Sequence, residues 1–349
     1  MIKPLMMATA SAMSAVTPSN WRWNGRRVKR VDGTTVTLPD TQENQACYPQ
    51  SPGQKPGLGF PIARVVAMLC LASGAAINAA MGPCVGKTGS EHALLQEIIE
   101  SVETGDIVLA DRYYCAYLLI ALLRARCADV VFQQQQRRLV DFRRGTRLGT
   151  RDHVVEWTKP LLRPGWLDQA LYDSLPATQW VREVHVNAKV LVTTLASTQQ
   201  ASKRDLSELY ARRWNVELDL RNIKTTLGLQ SLRCMSPDMS AKELWSGLLA
   251  SNLIKCLMMR AANHAGILPR QIGFKHTLQL WLAWIPWRPD AEDVHVLLLL
   301  IAEQRVGQRP GRLEPRAVKR RPKPFPLLTK PRALAREEAR RNGHALSLK

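Results

Sequence analysis

The stretch IARVVAMLCLASGAAINAAM (62–81) is the most apolar in the chain, and its reading decides the fold. A membrane helix needs ~20 apolar residues, nearly all uncharged. Arg64, Ser73, Gly74 and Asn78 interrupt this run. Two buried strands joined by a turn at Ser73-Gly74 fit better. Upstream, residues 27–38 contain VKRVDGTTVTL, a β-rich pattern with a central Gly. Residues 39–60 are rich in Pro, Gly and Gln and read as a loop. Downstream, residues 91–102 carry Leu94, Leu95, Ile98 and Ile99 on one helical face. Residues 107–110 read as a short buried strand, 114–126 as a helix and 129–132 as another strand. This alternation predicts an α/β protein built on a layered sheet.

Further out the pattern changes. Between 135 and 202 turn residues recur among β-prone pieces: LVDF, HVVEW, WVREVHV and KVLVTTL. Helical patterns follow at 203–226, 240–265, 275–284 and 291–304. The chain therefore divides into a first core part (27–134), a β-rich insertion (135–202), a helical completion of the core (203–304) and a basic, Pro-punctuated tail (305–349). Residues 1–26 read as poorly ordered. The opening apolar run is broken by Thr and Ser and is too weak for a signal peptide.

The 349 residues carry 49 Lys+Arg against 29 Asp+Glu, a net charge of +20. Such a charge calls for a polyanionic partner, nucleic acid before membrane. At 46% hydrophobic residues the chain can bury a sizeable core, which excludes wholesale disorder. Seven Cys without a CxxC pair exclude a disulfide scaffold and a zinc ribbon. They read as reduced, mostly buried thiols of a cytoplasmic protein. The seven His form no ligand-spaced pair.

The chemistry lies in ELYARRWNVELDLRNIK (208–224). Tyr210, Arg213, Glu217 and Lys224 stand at offsets 0, 3, 7 and 14, which at roughly 100° per residue fall within about 60° of one helical stripe. Such a stripe can hold a cation with its carboxylate and a phosphate with its Arg, Lys and Tyr. It can equally be a salt-bridged face in which Glu217 pairs with Arg213 or Arg221. Two upstream acids add weight to the first reading. Asp111 ends the apolar run IVLA, where open α/β sheets bind ligands. Asp32 sits inside a strand-like segment, where a carboxylate needs a partner or a metal. Taken singly, Asp32 also suits a hairpin turn before Gly33, and Asp111 a helix cap.

Together these residues resemble the DDE transposases of bacterial insertion sequences, and within them the insertion-sequence-four group with its Tyr-Arg-Glu-Lys signature. VDGTTVTLPDTQEN, ADRYY, RRLVDFRRGTRLGTRDH and LYARRWNVELDLRNIKTTLG carry the likeness, which runs from about 27 to 340. The resemblance implies a ribonuclease H-like core, a mixed sheet flanked by helices, interrupted by a β-rich insertion. It implies cleavage of DNA at transposon ends followed by strand transfer, with two Mg²⁺ ions (Mn²⁺ tolerated). Asp32 would bridge both ions, and Asp111 and Glu217 would complete one site each. Arg213 and Lys224 would clamp phosphates. Tyr210 would add a hydrogen bond or a stacking surface. A homodimer on paired DNA ends is implied by the resemblance alone. Relatives usually carry a helical N-terminal domain, whereas 31 residues precede Asp32. The chain is thus expected to be an active transposase or, alternatively, a DNA-binding remnant that inhibits full-length copies.

Other signals are weaker. Arg137, Arg138, Arg143 and Arg144, with Arg147, suggest a basic β-ribbon on the DNA backbone. Trp157, Trp166 and Trp180 read as core. The stretch MGPCVGKTGS misses the phosphate-loop spacing by one residue, because Met81 stands where Gly is required, so no nucleotide cofactor is expected. The run 133–136 is four Gln with no evident chemistry.

Overall fold

The computed structural model describes residues 2–86, 89–287, 291–306 and 329–342. In chain order the first half comprises α1 (Ile2–Ala15), β1 (Val28–Thr37), α2 (Gln42–Cys47), β2 (Ile62–Cys70), β3 (Ala76–Pro83), α3 (Glu91–Glu97), β4 (Ile107–Ala110), α4 (Tyr117–Ala125) and β5 (Asp129–Gln133). The second half comprises β6 (Thr146–Gly149), β7 (Asp152–Thr158), α5 (Gln169–Ser174), β8 (Thr178–Val186), β9 (Lys189–Thr193), α6 (Lys203–Ala211), α7 (Asn215–Arg221), α8 (Pro237–His264), α9 (Phe274–Trp284), α10 (Ala291–Glu303) and α11 (Arg332–Asn342). The nine strands form one mixed sheet in the order β3-β2-β1-β4-β5-β9-β8-β7-β6. β4 lies parallel to both β1 and β5; β1–β2 and β2–β3 are antiparallel. This is the mixed sheet flanked by helices expected of a ribonuclease H-like core.

Side-chain alternation along β1 sorts the two faces. Val31, with Val108 and Ala110 of β4, packs toward α3 and α4. Val28, with Ile107 and Leu109, packs toward Leu206, Leu209 and Tyr210 of α6. On that second face Val216 and Leu220 of α7 cover Val65, Ala67 and Leu69 of β2. Each such fully buried aliphatic side chain contributes roughly 1.5–3 kcal/mol, enough to fix α7 against the sheet. The turn in the 62–81 run falls where expected. Gly74 holds φ +79° there, a left-handed conformation that glycine adopts without strain.

Several expectations need correction. The N-terminal segment is not poorly ordered: α1 buries Met6, Ala10 and Met13. These lie at offsets 4 and 3, a narrow helical seam easily missed among Ala, Ser and Thr. The loop 39–60 contains α2, started by a side-chain cap from Thr41 to Asn44 N (3.1 Å). The 135–202 stretch supplies four strands, β6 to β9. β9 pairs with β5 through Val131↔Thr193 and Phe132↔Val192, so the insertion's strands continue the core sheet. LVDF forms no strand, and Leu139 is 96% exposed. Of the Cys, only Cys115 is buried, and Cys47 and Cys127 are exposed. Most of the 305–349 tail, and Lys87 and Thr88 of the failed phosphate loop, lie outside the described residues. Within the tail α11 is helical, and Arg332 ion-pairs Asp40 (2.9 Å) and covers the Phe60 ring.

The β3 edge of the sheet has an unusual neighbour. Asn252 of α8 accepts a hydrogen bond from Ala76 N (2.7 Å) and donates to Ala76 O (2.9 Å), as an adjacent strand would. No helix among the described residues is long and apolar enough to cross a membrane.

Candidate active site

β1 and β4 pair in parallel with Val28↔Ile107, Lys29↔Val108 and Arg30↔Leu109. Continuing that register two residues brings Asp32 level with Asp111. Alternation turns both toward the face on which α7 lies, and neighbouring strands are about 4.8 Å apart. Asp32 is thus a mid-strand residue of β1, not a hairpin turn. Its Oδ1 accepts from Gly33 N (2.9 Å). Asp111 leaves the end of β4 and accepts from Tyr113 N (2.8 Å), capping a 3₁₀ turn at Arg112–Tyr114. The capping reading of Asp111 therefore holds alongside its place in the acidic pair.

Burial pushes the Asp32 carboxyl up to about 6, and the charges of Asp111 and Glu91 push the same way; Arg213 and the Gly33 N–H oppose them. The proximity of Glu91 was not anticipated from sequence. It starts α3, accepts from Tyr114 Oη (2.8 Å), and lies so close to Gly33 that a Cβ there would collide with its carboxylate. Glycine at 33 is what admits this third acid.

The helical side begins at a capping box: Ser202 Oγ accepts from Asp205 N, and Asp205 Oδ2 accepts from Ser202 N. From there the chain is helical to Thr226, but not uniformly. A 3₁₀ turn at Arg212–Trp214 and a π turn at Asn222–Thr226 flank α7. The stripe is drawn together, and each polar member has a partner. Glu217 Oε1 accepts from Arg213 Nη2 (3.1 Å). Lys224 Nζ donates to Thr34 Oγ1 (3.2 Å), and Tyr210 Oη donates to Gln133 Oε1 (3.0 Å). Burial pushes the Tyr210 phenol up to about 12, so it remains a neutral donor. The Gln run thus has a place: Gln133 holds Tyr210, and Gln135 and Gln136 line the acidic hollow.

Asp32 is common to two open hollows. One, about 360 Å³, is lined by Glu217, Arg221 and Lys224; the other, about 660 Å³, by Glu91, Asp111 and Arg137. Among the described residues, no three His, Cys, Asp or Glu stand close enough to hold a metal as they are. The donor set nonetheless suits Mg²⁺, which takes one or two carboxylates and completes its shell with water and phosphate. Asp32 and Asp111 are two like charges without a salt-bridge partner among the described residues. Glu217 is the acid turned aside, toward Arg213.

The insertion residues divide. Arg137 faces the acidic hollow. Arg138 lies over the Trp157 ring (3.7 Å), and Arg143 pairs with Asp141 (2.8 Å), which Arg144 also approaches (3.7 Å). All four lie in the loop before β6, not on a β-ribbon, because Gly145 and the Asp141 turn interrupt the strand pattern. Trp157 is buried, its Nε1 donating to Glu183 (2.9 Å). Trp166 packs beside His92, whereas Trp180 is 52% exposed and does not belong to the core.

Residues 23–253 match the family described as Transposase DDE domain, and the chain belongs to that family. It is 28% identical over 350 residues to Transposase InsG for insertion sequence element IS4 of Escherichia coli (strain K12), covering 94% of this chain and 75% of that protein. The match bears out the resemblance carried by the Tyr-Arg-Glu-Lys signature. A solved structure, the piggyBac transposase synaptic complex with hairpin DNA, is similar over 82% of this chain at 10% identity and a TM-score of 0.43. The match spans 59% of that structure's chain.

Proposed function

We propose that this protein cleaves the phosphodiester bonds at the ends of its own DNA element and joins the freed 3′ ends to a target, using divalent metal held by Asp32, Asp111 and Glu217. The observation that supports it most is the level, same-face position of Asp32 and Asp111 under α7. Asp32, at about 6, is ionised at neutral pH and presents a carboxylate. Divalent metal held by these three carboxylates would supply activation of the attacking hydroxyl and neutralisation of charge on the scissile phosphate. Arg213 exchanges the Glu217 carboxylate for a DNA phosphate, which frees Glu217 to complete the acidic set. Lys224 and Arg137 hold the backbone on either side of Asp32, and Tyr210 donates its hydroxyl to a phosphate oxygen. Both hollows have volumes suited to a nucleotide rather than a lone ion. In each step a P–O bond forms to the attacking oxygen as the bond to the leaving oxygen breaks.

The test is a cleavage gel. The purified chain is incubated with DNA carrying the gene's flanking ends, in Mg²⁺, Mn²⁺ or chelator, beside Glu217→Gln. Cleavage that requires both metal and Glu217 is expected. A band shift without cleavage in any metal would replace this reading with that of a DNA-binding remnant.

A further inference from the structure

Behind the acidic site lies a second charged cluster, built on the same two elements. Arg30 precedes Asp32 by two residues on β1 and so shares its face. Asp219 follows Glu217 by two residues on α7, roughly 200° around the helix, so it points inward where Glu217 points out. The two meet: Arg30 Nη2 reaches Asp219 Oδ2 at 2.5 Å. Arg270, in the turn after α8, reaches Asp219 Oδ1 at 2.8 Å, and Lys255 of α8 lies 3.4 Å away. Arg30, Lys255 and Asp219 are all essentially buried. Lys255 also donates to Gly74 O, and Arg270 Nε to Leu71 O (3.3 Å). A Cβ at Gly74 would crowd both Arg270 and Asp219.

The cluster sets three cations against one carboxylate. Burial alone would raise the Asp219 carboxyl, but Arg270, Lys255 and Arg30 together hold it far below the usual carboxylate range. Arg182, in the insertion, is the opposite case. It is equally buried, but it forms a bidentate pair with Asp152 and donates to two backbone carbonyls. Arg30 leaves Nε and Nη1 buried without an acceptor among the described residues. Hydrogen-bond saturation therefore does not explain Arg30. Beyond a bond to the Cys70 carbonyl (3.2 Å), its partner is the carboxylate of the helix carrying Glu217.

We infer that Asp219 is a positioning residue: gripped by Arg30, Lys255 and Arg270, it fixes α7 over β1 and thereby sets Glu217 against Asp32, so that the C-terminal helices determine the geometry of the acidic site. The inference rests on the proposed role of Asp32 and Glu217. Breaking a buried ion pair by removing one partner leaves an uncompensated charge, so Asp219→Asn is at risk of misfolding. Arg270→Gln removes one of the surplus cations, is partly exposed, and provides the decisive variant.

Three measurements on Arg270→Gln and Asp219→Asn make the test: amide hydrogen exchange, Mn²⁺ binding by calorimetry without DNA, and end cleavage, with Asp32→Asn as the reference. Exchange at 215–226 should accelerate at least about tenfold while β4 and β5 stay protected. Mn²⁺ binding should weaken several-fold, and cleavage should fall by up to about 100-fold, as for a catalytic group misplaced by about 1 Å. DNA band shifts should stay unchanged. Unchanged exchange at 215–226 in Arg270→Gln would overturn the clamp whatever happens to activity. Faster exchange with wild-type Mn²⁺ binding and cleavage would overturn the positioning role. Wild-type cleavage by Asp32→Asn would instead sink the reading of the acidic site, and the exchange result would then describe a structural clamp only.

Discussion

The strand side and the helix side of the acidic site differ in how they rest. On the strands, Asp32 and Asp111 stand level with no salt-bridge partner among the described residues, and burial and mutual repulsion raise Asp32 to about 6. On the helix, Glu217, Lys224 and Tyr210 are each engaged by Arg213, Thr34 and Gln133. Sheet register sets the first pair side by side, and Arg213 and the Gly33 N–H only partly offset the burial and repulsion. The helix-side groups already have partners, Glu217 within the stripe and Lys224 and Tyr210 on the sheet, and the proposed reaction requires them to exchange these for DNA. In the proposed reaction, acids set side by side and clamps that must change partners are two separate requirements, and mutations should separate them.

The largest effect should come from the acids. Asp32→Asn, Asp111→Asn and Glu217→Gln should each lower end cleavage at least about 10³-fold, ~4 kcal/mol of barrier, in the gel assay. If Glu217→Gln alone cleaves normally, the comparison breaks and the site is a two-acid site.

Next is stability without metal. The folded Asp32 carboxyl titrates at about 6 rather than 3.8, so the folded state holds its proton more tightly. Stability of the wild type should then fall as pH rises from about 4 to about 6. Asp32→Asn should be more stable by about 3 kcal/mol at pH 7.5, with the advantage gone near pH 4. Urea titrations at the two pH values measure this; equal midpoints at pH 7.5 would show that the strand pair is not under electrostatic strain.

A smaller effect is expected from the helix. Arg213→Gln removes the partner of Glu217 and a cation that opposes the rise of Asp32. The acidic limb of the cleavage profile should move to higher pH, by up to about 0.7 unit for a pair worth ~1 kcal/mol. An unmoved acidic limb would mean that Arg213 acts only on DNA. The smallest effect concerns the insertion loop. Arg137→Ala should reduce the salt slope of DNA binding by about one, and Arg143→Ala by less, since Arg143 already pairs with Asp141. Band shifts across a salt series read the difference.

Much of this was legible in sequence because it depends on period and position. The Ser73-Gly74 turn within an apolar run marked two buried strands, and IVLA ending at Asp111 marked a strand end. The spacing of Tyr210, Arg213, Glu217 and Lys224 marked the stripe. Three features depended on tertiary neighbours. Glu91 looks like an ordinary first-turn acid until Gly33 is seen beside it. Asp219 did leave a trace, since it falls in the apolar stripe with Val216, Leu220 and Ile223, but its three cations come from segments far away in the chain. The joining of β9 to β5 was illegible because a β-rich stretch reads the same whether it forms its own sheet or extends another.

Asn252 bears on a different property, the colloidal behaviour of the protein. An open sheet has two edges, and an unpaired edge invites another chain to add a strand. Here one edge meets a side-chain amide that imitates a strand at Ala76. The other is β6, four residues long and carrying Arg147. A chain of charge +20 gathers densely on a polyanion, where copies meet at high local concentration. Blunted edges let them crowd there without polymerising through their sheets, and Asn252→Leu should reveal this as aggregation at concentrations where the parent chain stays clear.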